Sequence, residues 1–201
     1  MRRWRHRTLQ GVLDLRSAHA LALADVERVE VVTSHQALLP LLHARPQTGL
    51  EAKFSLQYGV AAALLDGQVG LASFTDVAVR RAEAQAFLPH VVAREAVGAT
   101  LPRWVDLTLW LKAGRALSLR VEHLRGSGSA QLTSDELRVK TADCLRHGGS
   151  TVTADALMLI LRLPGATPVR NALAPLAAVN ALGCLGGDPA SPRLQAAAGL
   201  D

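Results

Sequence analysis

The residues of this chain best suited to chemistry are seven histidines, two cysteines and a single tyrosine, and their spacing excludes more than it offers. His6, His19, His35, His43, His90, His123 and His147 form no His-x-x-x-His or His-x-x-x-x-His pair, and neither Cys144 nor Cys184 has a second sulfur ligand nearby. No bound metal is therefore expected, because a metal site needs several ligands brought to one point by such spacings. The chain has no Gly-x-Gly-x-x-Gly, no Walker sequence and no Gly-x-Ser-x-Gly. Local motifs thus supply neither a cofactor cradle nor a serine nucleophile.

Two clusters remain. The run RRWRHR, Arg2 to Arg7, carries four arginines about Trp4 and His6. It reads as a solvated basic end, since the rest of the chain lacks a recognised nucleic-acid module and binding domains spread their basic residues over a folded face. The second cluster is GLEAKFSLQYGVAAALLDG, Gly49 to Gly67, which holds Lys53, Gln57 and Tyr58 inside an otherwise apolar run. As one helix, it puts Tyr58 on a face with Phe54, Ala61, Ala62 and Leu65, a core tyrosine whose hydroxyl reaches the surface. Lys53 and Gln57 then make an i, i+4 pair facing solvent.

The elements that must position these groups follow from periodicity. Leu9, Val12, Leu13 and Ala20 fall at helical spacing over Thr8–Ala22, which predicts an amphipathic helix. In DVERVEVVT, Asp25 to Thr33, valines alternate with charges as in a half-exposed strand. His35 to Gly49 reads as a loop. Leu56, Val60 and Leu64 then make a buried helical stripe that Asp66-Gly67 stops. WVDLTLWLKAGRALSLRVEH, Trp104 to His123, is two alternating runs about Lys112–Gly114, a hairpin. Gly126–Ala130 is a Gly/Ser loop, and Thr133 or Ser134 caps a helix over Asp135–Arg146. Shorter helices are expected over Ala154–Arg162 and Pro168–Leu176, followed by a loose Ala/Gly/Pro-rich tail. Adjacent antiparallel strands among helices indicate an α+β class, with an antiparallel sheet packed on helices.

Composition bounds the rest. At 201 residues the chain is one large domain or two small ones. Hydrophobic residues make up 49% and aromatics 3%, so a core forms and must be built of Leu, Val and Ala. A net charge of +5, mostly from arginine, favours an anionic partner without choosing among nucleic acid, a membrane surface and a small polycarboxylate. Two isolated cysteines point to a reducing cytoplasm. No signal peptide and no membrane span is expected, since Gln10, Asp14 and Arg16 interrupt the apolar run behind the N-terminus.

TGLEAKFSLQYGVAAALLDGQVGLASFTDVAV, Thr48 to Val79, resembles the signature of the C-terminal part of the MmgE/PrpD family, whose members include 2-methylcitrate dehydratase, cis-aconitate decarboxylase and iminodisuccinate epimerase. The resemblance continues in HRTLQGVLDLRSAHALALADVERVEV, His6 to Val31, and in LKAGRALSLRVEHLRGSGSAQLTSDELRVKTADC, Leu111 to Cys144. It covers residues 6 to 176 in consistent order. What it implies is the family's smaller, lid-like α+β domain over residues 1–147, helices over 148–176 and a tail over 177–201, without the family's large all-helical domain.

The chemistry implied is proton transfer next to a carboxylate, with no metal and no organic cofactor. Such a reaction needs cations for the polyanion and an acid and base at the carbon. By resemblance, Tyr58 and His6 are the catalytic residues: Tyr58 hydrogen-bonds substrate or relays a proton, and His6 acts as base or acid. Lys53 matches a position occupied by a cation in relatives, where it either pairs with a substrate carboxylate or only supports the helix. Arg2–Arg5 depart from the small-residue loop that precedes this histidine in the family. The implied partners are a small polycarboxylate, a separately encoded helical domain that completes the site, and a second copy of the chain as a homodimer. The resemblance leaves open a non-catalytic binding or assembly module that uses the basic face.

Overall fold

The computed structural model describes residues 3–160 together with Pro168, Arg170 and Asn171, and for residues 3–5 the backbone alone. Cys184, the expected tail 177–201, the end of the helix expected over Ala154–Arg162 and most of that over Pro168–Leu176 lie outside those residues. The chain divides into two compact units, Met1–Asp135 and Glu136–Asp201.

In the first unit, helix α1 spans Arg3–Ala18 and buries Leu9, Val12 and Leu15. It starts before the predicted Thr8 and stops before Ala22. The stop is local: Ala20 takes a left-handed φ of 50° and the Leu21 N–H donates to the Arg16 carbonyl at 3.0 Å, which closes the last turn. Strand β1, Val26–Thr33, follows a 3-10 turn over Leu23–Asp25. Its pairing slips between Val26 and Arg28, and this irregularity turns both Val26 and Val29 inward although they stand three apart.

The predicted single helix over Gly49–Gly67 is two. Helix α2, Gly49–Ala52, is capped by Thr48, whose hydroxyl accepts from the Glu51 N–H. Helix α3, Leu56–Asp66, is capped anew by Ser55, whose backbone is extended and whose hydroxyl accepts from the Tyr58 N–H at 3.1 Å. Lys53 therefore ends one helix and Gln57 begins another, so their i, i+4 relation does not exist. The predicted stop is present, with Gly67 left-handed at φ 70°. After α3 the chain makes a 3-10 turn at Ala72–Phe74, then α4, Asp76–Val79, and α5, Ala82–Phe87.

A strand absent from the sequence reading comes next: β2, Val91–Glu95. The hairpin β3, Val105–Leu111, and β4, Ala116–Val121, completes a sheet of order β2-β1-β3-β4. The pairs β1/β3 and β3/β4 are antiparallel as expected, whereas β2 joins β1 in parallel. The class is α+β with a mixed sheet, because the helical crossover from β1 to β2 brings the chain back in the same direction. Val105, Leu107, Leu109 and Leu111 face the core. Gly11 of α1 lies over Leu107, Leu119 and Val121, which identifies the covered face of the sheet.

The second unit contains α7, Ala154–Ile160, and nearly all of α6, Ser134–His147. Arg138 on α6 lies 4.0 Å from Asp155 on α7.

The junction of α2 with the segment leading into α4 is tight. The Gly49 N–H donates to Asp76 Oδ1 at 2.7 Å, and a Cβ at Gly49 would lie 1.9 Å from the Phe74 carbonyl oxygen. Gly49→Ala is expected to lower stability by about 2–3 kcal/mol, the cost of overpacking against backbone that cannot give way. Urea unfolding checks this, and a variant as stable as the parent would show that the junction is loose.

Candidate functional site

Tyr58 stands in the first turn of α3 and is completely buried. Its position follows from the Ser55 cap, which starts the helix so that the tyrosine faces the segment returning from the end of α3. The ring meets Phe74 edge-on, with centroids 6.0 Å apart. The hydroxyl donates to the Ser73 carbonyl at 2.5 Å. Ser73 in turn accepts the Gly70 N–H on its own Oγ at 3.2 Å. The phenol thus fastens residues 70–74 across the first turn of α3.

A cation sits beside it. Arg81, just before α5, grips Asp66 at the end of α3 through two parallel bonds of 2.6 and 2.7 Å and donates from Nε to the Ala78 carbonyl. Such a fork-to-carboxylate pair fixes the guanidinium in direction as well as place. Burial pushes the Tyr58 pKa above the ordinary value of 10.0; Arg81 pulls it down and Asp66 adds a smaller upward push. Burial dominates, so Tyr58 is a neutral hydrogen-bond donor throughout the physiological range and not a base. Ser73, Asp66 and Arg81 were not among the residues singled out for chemistry. Asp66 was legible only as part of a helix stop, and the 15-residue separation from Arg81 carries no periodic signal.

The other two candidates are differently placed. Lys53 caps the C-terminus of α2, half-buried, just before α3. His6 is exposed near the start of α1, next to Arg7, whose Nε donates to the Glu122 carbonyl beyond β4. The helices α1 and α3 end together: Arg16 Nε donates to the Leu64 carbonyl, and its guanidinium lies against Gly67. Leu65, late in α3, lines a cleft of about 430 Å³ with Leu23 and Val26, so α3 runs antiparallel to β1. The starts of α1 and α3 therefore point toward the end of the sheet where β1 finishes. His6 and Lys53 belong to that end, His6 facing solvent, while Tyr58 faces inward to Ser73. Among the described residues no group of three or more His, Cys, Asp or Glu could hold a metal ion, and no helix is long and apolar enough to cross a membrane.

Tyr58 is the only tyrosine in the chain, so its ionisation can be followed alone. A phenol whose pKa is raised on folding holds its proton more tightly in the folded state. Its contribution to stability is complete below pH 10, the unfolded value, and is lost as pH rises through the folded value. Phenolate absorbance is expected only above pH 10, together with the loss of tertiary structure; a phenolate forming at or below pH 10 in the folded chain would contradict this. Tyr58→Phe is expected to cost about 1–2 kcal/mol, from the lost bond to Ser73, and to flatten the fall in stability above pH 10, both measured by denaturant unfolding at a series of pH values.

A family model described as the MmgE/PrpD C-terminal domain matches residues 2–162. No curated protein matches the chain at a significant level. The match takes in the whole of the sheet, α1 to α7, and the positions of His6, Lys53 and Tyr58. On that span and this α+β architecture, the chain belongs to the MmgE/PrpD C-terminal domain family.

Proposed function

We propose that this chain supplies one wall of the active site of a lyase or isomerase acting on a small polycarboxylate, in the manner of a 2-methylcitrate dehydratase, by proton transfer next to a carboxylate without a cofactor. The family match supports the membership on which this reading rests, and the reaction class is what the resemblance to that family implies. The observation that carries the reading is the state of Tyr58, a neutral phenol completely buried beside a fixed guanidinium. Such a group stabilises negative charge developing on an oxygen by donating to it, once its bond to the Ser73 carbonyl is exchanged for one to substrate. His6 at the start of α1 takes or gives the proton, and Lys53 pairs with a carboxylate of the substrate.

The same observation supports a second clause, that the chain alone does not turn substrate over. With its hydroxyl committed to Ser73, Tyr58 offers nothing to a ligand until another surface opens or replaces that contact. A separately supplied helical domain is the partner that completes the site.

The test is turnover of 2-methylcitrate, cis-aconitate and iminodisuccinate by the purified chain, alone and after addition of a helical domain of the family. The chain alone is expected to give no rate above background. The completed enzyme is expected to act on one of the three and to lose about a hundredfold or more in kcat in Tyr58→Phe, the scale of a lost transition-state donor. Turnover by the isolated chain that Tyr58→Phe abolishes would remove the second clause. A completed enzyme indifferent to Tyr58→Phe and to His6→Ala would remove the first.

A further inference from the structure

Five serine and threonine side chains are buried among the described residues: Thr8, Thr33, Ser34, Ser55 and Ser73. Ser55 and Ser73 accept backbone N–H groups. The hydroxyls of Thr8, Thr33 and Ser34 have no hydrogen-bond partner, although each residue is only 1% exposed. A buried hydroxyl left unpaired is destabilising, and most proteins avoid it. Three in one small domain call for an explanation.

The topology gathers them. Thr33 and Ser34 are consecutive at the carboxyl end of β1, and Thr33 pairs with Val105, which pairs with Val121. Gly11 of α1 packs on Val121 and Leu107, and Thr8 lies one turn nearer the start of that helix, beside the Arg7 that reaches Glu122. All three hydroxyls thus belong to the end of the sheet toward which α1 and α3 point their amino termini. Those helices are 16 and 11 residues long, so each brings a positive dipole end there. The carboxyl ends of parallel strands beside helix amino termini are where open α/β layers take anionic ligands.

This end of the domain already holds one carboxylate. Glu95, the last residue of β2, accepts the Gln36 and Leu38 N–H groups at 3.0 and 2.7 Å, with His35 Nδ1 3.8 Å away. The chain leaving β1 and β2 meets over the strand ends, where the Ala96 N–H donates to the Thr33 carbonyl and the Ser34 N–H to the Trp104 carbonyl.

We propose that the hydroxyls of Thr8, Thr33 and Ser34 form a carboxylate-binding subsite at the carboxyl end of β1. The proposal rests on the polycarboxylate reading above and adds the residues that receive one carboxylate of the substrate.

The probe is tricarballylate, which has three carboxylates but no hydroxyl to eliminate and no double bond, titrated calorimetrically into the full chain at fixed ionic strength. Saturable binding is expected, weakened about tenfold or more by Thr33→Val and by Ser34→Ala, since a hydrogen bond to a charged group contributes that much. The same variants are expected to unfold at the same or a higher temperature, because they remove an unpaired buried hydroxyl. A merely structural hydroxyl would instead lower the unfolding temperature without changing affinity. No saturable binding, unchanged affinity in both variants, or destabilised variants each overturn the subsite. If tricarballylate binds as expected while the completed enzyme turns over none of the three substrates, the reaction falls and the subsite stands; turnover without such binding overturns the subsite alone.

Discussion

Helix α3 is buried on nearly every side, from Leu56 through Leu64, and the rest of the first unit is arranged by that fact. A helix apolar all round must be enclosed, and this one is enclosed through small residues: Gly59 and Ala61 to Ala63 let neighbouring elements come close to its backbone. Helix α1 lies along one side of it, with Arg16 donating to its Leu64 carbonyl, and α5 and the sheet take other sides. Because the core has few aromatics, it depends on close approach by many aliphatic side chains rather than on a few large ones.

Enclosing a helix this fully leaves its polar groups few places to go. Tyr58 and Asp66 stand in the first and last turns of α3, and the side chains of both are met from one stretch of chain, residues 73–81. Ser73 receives the phenol, Arg81 takes the carboxylate, and the guanidinium sits close enough to the phenol to affect its ionisation. Burial keeps Tyr58 protonated against the pull of Arg81, and the bond to the Ser73 carbonyl directs its hydroxyl. The catalytic role proposed for this residue requires its contact to Ser73 to be exchanged for one to substrate.

The direction of α3 also organises the electrostatics of the domain. A crossover from β1 to a parallel β2 runs its helix antiparallel to the strands, which sets helix amino termini and strand carboxyl ends on one side. His6, Lys53, the unpaired hydroxyls of Thr8, Thr33 and Ser34, and the Glu95 carboxylate held by backbone N–H groups all belong to that side. The net positive charge of the chain suits the same class of ligand, a small anion.

By itself the sequence determined the elements whose signals are local. The inward Val105, Leu107, Leu109 and Leu111 of the hairpin, the alternation in β1, the stop at Asp66-Gly67 and the helix after Thr133 are all written in short-range periodicity and turn chemistry, while the family was legible as the resemblance of whole runs such as Thr48 to Val79. What only the tertiary structure decided involves competition or distance. Ser55 could sit inside a continuous helix or cap a new one, and the second alternative holds because it turns Tyr58 inward and satisfies its N–H. Strand β2 is five residues with apolar side chains on both faces, and nothing but the open edge of β1 makes it a strand. The pairing of Arg81 with Asp66 and the shared end of Thr8 with Thr33 join residues 15 and 25 positions apart. No periodicity spans such separations, because they are set by how the crossover packs on the sheet.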